Sequence, residues 1–486
     1  MVVKSNKSIN FNLFFSYLLC AFSLILLCYK PISPSIKYQF VCLVIVILSV
    51  LNYAVAKYKQ GIGWFSFSSI FILGFVIVHF QIISLQVFGY HLPHYSYYKV
   101  WGMDSIENIS TISSLIAMQM FIIGSFHGSK IKVINKNLIR TDSTFFLLLF
   151  TYVFYVLFFS TSGSYKYGEY AAGDSLAGSN YFLKLFNIFL IASIISNLSK
   201  ISRLERHGSL VDYLNLFNKP LLAILFWHLA FSLFVGDRGV IITYGILIFS
   251  LYFYRWKRLK IHQVVISILA ISVFLSIVGE VRQSRYSGDS YSERIQQSLF
   301  EEKTHSRWYD QNVPGASFIE LAQSVRTLNH AIYNVPDNYD YKYGMYQLKR
   351  IIAVIPGASG IFNQVISNGE WKYDDTANFI SFLIQGENPT YGDGTSITAD
   401  LYLDFGFLGM YVGLLIFGLI IGCNEPKLIS GNQDYLNLGW IAILVFLSKS
   451  LYLSRSSISL EYSTIILVWC ALYINYHISN SFSKVN

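Results

Sequence analysis

The side chains best suited to chemistry are a few arginines and acids placed where apolar runs end. Asp237 and Arg238 stand between two glycines in Gly236-Asp237-Arg238-Gly239, at a corner between two such runs. Arg282 and Arg285 follow a later run, three residues apart and so neighbours on one helix face. Guanidinium forks grip phosphate oxygens in pairs and keep their charge at any relevant pH. Arg238, Arg282 and Arg285 together fit a clamp for a diphosphate. A charged pair this near hydrocarbon is costly unless it is partnered or lines a wet cavity, and the flanking glycines let backbone and ligand approach closely. The alternative is an interfacial turn with a snorkelling arginine, beside a belt of cations.

Acids gather at the same level. Glu280 precedes the arginine pair, and Asp400 and Asp404 lie four apart, on one face of a helix. Any of these, or Glu320 or His330, can take a proton from a sugar hydroxyl. Each alone is more commonly a helix cap or an arginine's charge partner. Between residues 281 and 397, Arg326, Lys349 and Arg350 are interleaved with Trp308, Tyr309, Tyr339, Tyr341, Tyr346 and Tyr373, and Tyr402 follows. Cations among flat aromatic faces suit a ligand that is both phosphorylated and sugar-like, so Arg326, Trp308, Tyr309, Tyr402, Lys349 and Arg350 are candidate substrate contacts.

The elements that must position these residues are membrane spans. A chain of 486 residues with 54% hydrophobic and 13% charged residues is too apolar for a soluble protein of its size. Runs of about 20 apolar residues, the length that crosses a bilayer core of roughly 30 Å, recur along it. The spacing predicts spans near 11–29, 36–56, 64–88, 109–127, 144–160, 181–198, 218–235, 239–255, 261–280, 398–422, 434–452 and 457–478, twelve in all. The fourth and eighth carry polar residues at their ends. The fold class expected is an all-α polytopic membrane protein. Its parts are a nine-span membrane domain over 1–280, one large extramembrane loop over 281–397 and a three-span domain over 398–486. The apolar start after Lys4 and Lys7 lacks a small-residue cleavage site and reads as an uncleaved first span.

Loop charge sets the orientation. Lys57 and Lys59, then Lys130 to Arg140, Lys200 to Arg206 and Arg255 to Lys260 mark one set of loops as cytoplasmic, and the alternate loops are poorer. That alternation places 281–397 outside the cytoplasm. The net charge of +9, which in a soluble protein would suggest nucleic acid, is accounted for by this bias. Inside the large loop, Phe318, Leu321, Val325, Leu328 and Ile332 recur at helical spacing and predict an amphipathic helix over 316–333, with a second over 345–355.

Other features read as structural. His79 and His228 lie within spans and are expected as buried, hydrogen-bonded histidines, with a proton relay as the alternative. Gly409-x-x-x-Gly413 and Gly418-x-x-x-Gly422 read as helix-packing surfaces. The five cysteines lie in or beside apolar runs, which argues against a disulfide framework or a cysteine-rich zinc site. The sequence contains no phosphate-loop, zinc-protease, nucleophile-elbow or C-x-x-C motif.

Gly236-Asp237-Arg238-Gly239, Arg282 with Arg285, Phe318-Ile319-Glu320 before Arg326, and the stretch from Thr398 to Gly409 together resemble bacterial O-antigen polymerases of the Wzy type. The resemblance implies a membrane-embedded, C-type glycosyltransferase in the bacterial inner membrane, acting at its periplasmic face. It implies an undecaprenyl-pyrophosphate-linked oligosaccharide as substrate, and a reaction driven by release of the pyrophosphate carrier. Metal, nucleotide and cofactor are not expected. Partners implied are membrane lipid, a chain-length regulator and a flippase, with no nucleic acid.

Two rivals stand beside it. An O-antigen ligase would share the donor but show a histidine beside the loop arginines, a part open to His305 or His330. A flippase or transporter would carry charges deep in many spans and show two similar halves, whereas here the halves are unequal.

Overall fold

The computed structural model describes residues 6–90, 99–102, 104–131, 144–167, 176, 178–204, 208–257, 259–260, 262–264, 266–267, 270, 313, 315, 318–355, 358–366, 370–430 and 433–483. Every regular element among them is helical. In chain order the helices are α1 (Asn6–Cys28), α2 (Ile36–Lys59), α3 (Phe67–Val87), α4 (Asp104–Gly128), α5 (Phe145–Thr161), α6 (Ser179–Ser202), α7 (Leu210–Asn215), α8 (Lys219–Val235) and α9 (Arg238–Leu251). They continue with α10 (Ile319–Ala322), α11 (Val325–Asn334), α12 (Met345–Ile352), α13 (Ala358–Ile366), α14 (Thr376–Gln385), α15 (Ile397–Asn424), α16 (Leu438–Lys449) and α17 (Ile458–Ser483).

Among the described residues eight helices are long and apolar enough to cross a bilayer: α1–α4, α6, α9 with its π-helical extension to Trp256, α15 and α17. The shorter α5, α8 and α16 are equally apolar. These coincide with the expected spans, except that the one at 261–280 lies almost wholly outside the described residues. The chain is an all-α polytopic membrane protein.

The chain divides into two compact units. The first comprises Met1–Ile134, Ser306–Pro426 and Lys449–Ser463, and the second Asn135–His305, Lys427–Ser448 and Thr464–Asn486. In the first unit α4 is the central helix, buried almost throughout. This explains the polar residues that set the fourth span apart, because a helix surrounded by protein can carry groups that lipid would not solvate. Gln39 donates to Glu107, Asn108 donates to the carbonyls of Pro31 and Ser33 at 3.0 and 2.7 Å, and Tyr53 and Ser125 share a hydrogen bond of 2.6 Å.

α4 and α15 meet backbone to backbone. A Cβ added to Gly418 or Gly422 of α15 would lie 2.2 or 2.3 Å from the carbonyl oxygens of Phe121 and Ser125. One added to Gly124 or Gly128 of α4 would lie 2.1 or 2.3 Å from those of Leu415 and Leu419. Four glycines therefore interlock, and the Gly418-x-x-x-Gly422 spacing is a packing surface as its sequence suggests.

At one end of these helices Lys57, closing α2, donates to Glu425 at 2.7 Å, and Ser68 at the start of α3 donates to the same carboxylate through its amide and hydroxyl at 3.0 and 2.8 Å. At the other end α11 packs on α4 and on the start of α15: Ser110 donates to Asn329, and Thr327 to Ser396 at 2.9 Å. The described loop segment 318–396 thus sits at the opposite end of α3, α4 and α15 from Lys57. The helix expected over 316–333 is two helices, α10 and α11, parted at Gln323 and Ser324.

In the second unit α5 and α6 pack through Phe150, Phe154 and Phe189, with ring centroids 5.2 and 5.5 Å apart. His228 of α8 lies among the rings of Tyr155, Phe186 and Tyr244. It is buried as expected, but neither ring nitrogen has a hydrogen-bond partner, so edge-on aromatic packing replaces the expected hydrogen bonds. His79 of α3 meets the expectation, with Thr398 and Ser114 hydroxyls at 3.3 and 3.4 Å.

Candidate active site

The start of α15 organises the described residues of the 318–396 segment in the first unit. Ser396 caps the helix by accepting from the Ala399 amide at 3.2 Å. The helix then breaks at Phe405 (φ −143°, ψ 21°) and Gly406 (φ 64°, ψ −156°). Only glycine adopts the second conformation without strain, and a Cβ there would also meet the Tyr341 hydroxyl at 2.9 Å. A break leaves carbonyls without helical partners. Here Leu403 and Asp404 accept from the amides of Lys342 and Tyr343, both at 2.9 Å, and the Asp404 carboxylate accepts from the Gly344 amide at 3.1 Å. Past the break the helix doubles back. Gly409 and Gly413 make room for Phe405 and Leu401 of the same helix, so this second glycine pair packs within α15 and not against a neighbour.

This junction fixes where α12 begins, and with it Gln347, Lys349 and Arg350. Asp400 accepts from Gln347 at 2.9 Å and from Ser457 at 2.6 Å. Asp404 is fully buried with one carboxylate oxygen lacking a partner. Tyr402 is buried, and its hydroxyl donates to the Val335 carbonyl at the end of α11 at 2.8 Å. In this geometry Asp400, Asp404 and Tyr402 brace the junction and present no face to solvent.

The cations expected to touch substrate are each matched to a carboxylate. Arg326 pairs with buried Asp393, which Gln385 also holds, at 2.5 Å. Lys349 pairs with Asp374, Arg350 with Asp375 at 3.0 Å, and Glu320 lies 3.9 Å from Arg455. Cations also stand over rings. Lys342 lies 4.4 Å from the Tyr373 centroid, while Lys99 and Arg326 lie 5.2 and 5.9 Å from that of Tyr391. Burial draws the Lys342 and Lys349 ammonium groups below their ordinary range. Lys99, Tyr391 and Asp393 were not legible as site residues, because Lys99 and Arg326 converge on one ring from segments far apart in sequence.

His330 joins this cluster. Its Nε2–H donates to the Lys99 carbonyl at 3.3 Å, which leaves Nδ1 as an acceptor. Burial first, and then the Arg326 charge, lower its pKa, opposed by that hydrogen bond and by Asp393. A neutral imidazole with a free acceptor nitrogen is equipped to take a proton.

Asp237 and Arg238 belong to the second unit. Gly236 ends α8 in the left-handed region (φ 83°), and Asp237 caps α9 by accepting from the Gly239 amide at 3.0 Å. Arg238, the first residue of α9, is half-exposed. Glu280, Arg282, Arg285, His305, Trp308 and Tyr309 lie outside the described residues. Among the described residues no group of three or more His, Cys, Asp or Glu converges as a metal site would require.

The arrangement couples a cation-and-ring surface, suited to phosphate and sugar, to a neutral histidine. The chain matches the family model described as O-antigen polysaccharide polymerase Wzy over residues 11–486. It matches no curated protein and no solved structure. The family match favours polymerisation of repeat units over the ligase and transporter readings. Because it runs through both compact units and nearly the whole sequence, the chain belongs to the O-antigen polysaccharide polymerase Wzy family.

Proposed function

We propose that this membrane-embedded glycosyltransferase joins lipid-linked O-antigen repeat units at the periplasmic face of the inner membrane, in its 281–397 loop and the span ends beneath it. The domain scheme is nine spans over 1–280, the loop, and three spans over 398–486. The observation that supports this placement is the position of the described residues of 318–396, at the opposite end of α3, α4 and α15 from Lys57. Lys57 and Lys59 belong to the lysine- and arginine-rich loops that the positive-inside rule assigns to the cytoplasm.

In this reading the donor is an undecaprenyl-pyrophosphate-linked glycan. Arg238, Arg282 and Arg285 stabilise the charge that develops on the departing diphosphate. His330 accepts the proton of the acceptor hydroxyl through Nδ1, and Glu280 is the alternative base. Cations paired with rings, Lys342 with Tyr373 and Arg326 with Tyr391, hold sugars and phosphate. The acceptor oxygen forms the new glycosidic bond as the bond to the diphosphate carrier breaks, and this exchange supplies the driving force, so no nucleotide is required. A flippase is a proposed partner because the substrate must reach that face, and a chain-length regulator because elongation must stop.

The test is reconstitution. Purified protein in vesicles, given lipid-linked repeat units and no nucleotide, is expected to yield a ladder of lengthening glycans with release of undecaprenyl pyrophosphate. Repeat units recovered unextended would overturn the proposal.

A further inference from the structure

Outside the spans, one helix turns its apolar face away from the protein. Along α12 and the turn after it, Leu348, Ile351 and Ile355 follow at spacings of three and four, which places them on one face. Ile351 and Ile355 are 48% and 63% exposed. The opposite face carries buried Tyr346, together with Lys349 and Arg350, which are tied to Asp374 and Asp375. A helix lying on a soluble domain is oriented the other way, apolar side in.

The same face begins beside an exposed apolar row on α15. Beyond the break in α15, Leu408, Val412, Ile416 and Ile420 form an exposed row at helical spacing, with Leu408 at 72%, and exposed Phe405 stands at the break before it. In a multi-pass membrane protein such a row faces lipid. Gly344, the residue before α12, seats against Phe405: a Cβ there would lie 3.1 Å from its ring. The bonds from Lys342 and Tyr343 to the Leu403 and Asp404 carbonyls fix the junction.

We propose that residues 343–355 lie in the membrane surface as an interfacial helix, with Leu348, Ile351 and Ile355 immersed in the acyl chains of the leaflet that α15 enters. The occupant of this face is bilayer lipid, by its position beside the row that α15 already presents to it. The inference rests on the chain's membrane placement and not on the diphosphate clamp, so the two can fail separately.

Spin labelling tests it. Nitroxides are attached at Ile351→Cys and Ile355→Cys in the full chain, with its five native cysteines replaced, in phospholipid vesicles. Labels at Leu408→Cys and Glu387→Cys serve as lipid and water references. The expected result is an excess of oxygen collisions over water-soluble nickel-chelate collisions at 351 and 355, as at 408. A nickel-chelate excess like that at 387 would overturn the proposal. So would shielding from both reagents, which would mean that protein, from this chain or a second copy, covers the face.

Discussion

Arg326 and Asp393 form the sharpest test at the level of single residues. Removing one partner of a buried ion pair strands the other charge, at a cost of about 3–5 kcal/mol. Arg326→Ala is therefore expected to lower the thermal unfolding temperature in detergent by the corresponding amount, with Asp393 left buried and uncompensated. The double variant Arg326→Met/Asp393→Leu should recover stability; if its glycans stay short, Arg326 also touches substrate. His330 predicts a pH effect of definite sign. Its folded pKa is lowered from the ordinary 6.5, so the unfolded chain binds the proton more readily. Stability is full above that value and falls as pH drops below it towards the lowered folded pKa. Melting scans between pH 7.5 and 5.5 should show the loss, and His330→Asn should flatten it, in a window set by roughly the unperturbed histidine pKa. The sequence made Arg326 and His330 legible as candidates from residue type alone. It could not show Asp393 beneath Arg326 or Lys99 beside His330, because those contacts depend on how distant segments fold together.

Helix periodicity carried more of its information into the fold. Apolar runs located the spans because hydrocarbon permits few alternatives to a helix. The glycine spacings located close approaches but not their partners. Gly418 and Gly422 face α4, whereas Gly409 and Gly413 face the folded-back start of α15, and nothing in a four-residue spacing separates the two outcomes. The break itself was hidden, since the stretch from Thr398 to Gly409 reads as an uninterrupted span start. Only the left-handed backbone at Gly406 and the amides of Lys342 and Tyr343 reveal it. Gly418→Ala puts a methyl group where a backbone carbonyl now stands, and a carbonyl cannot rotate away as a side chain can. The expected cost is about 1–3 kcal/mol from overpacking, read as a lower melting temperature. Gly245→Ala is the control, because a Cβ there meets nothing within 4 Å and should leave melting unchanged.

At the scale of the whole molecule, membrane class follows from composition, and the proposed orientation rests on loop charge; neither needs knowledge of contacts. Which distant segments share a compact unit does need it. Lys57 and Glu425 stand 368 residues apart and meet at 2.7 Å in a buried ion pair. Polar residues within α4, which look out of place in a span, make sense once that helix is surrounded by protein. The proposed mechanism has arginines gripping the departing diphosphate. The most direct measurement compares reconstituted wild-type protein with variants in which Arg238, Arg282 and Arg285 are changed to glutamine, singly and together. Lipid-linked repeat units are the substrate, and a melting scan checks that each variant is folded. The account predicts that the glycan ladder disappears in the triple variant while unfolding stays cooperative; a ladder of wild-type length and yield from that same folded variant would contradict it.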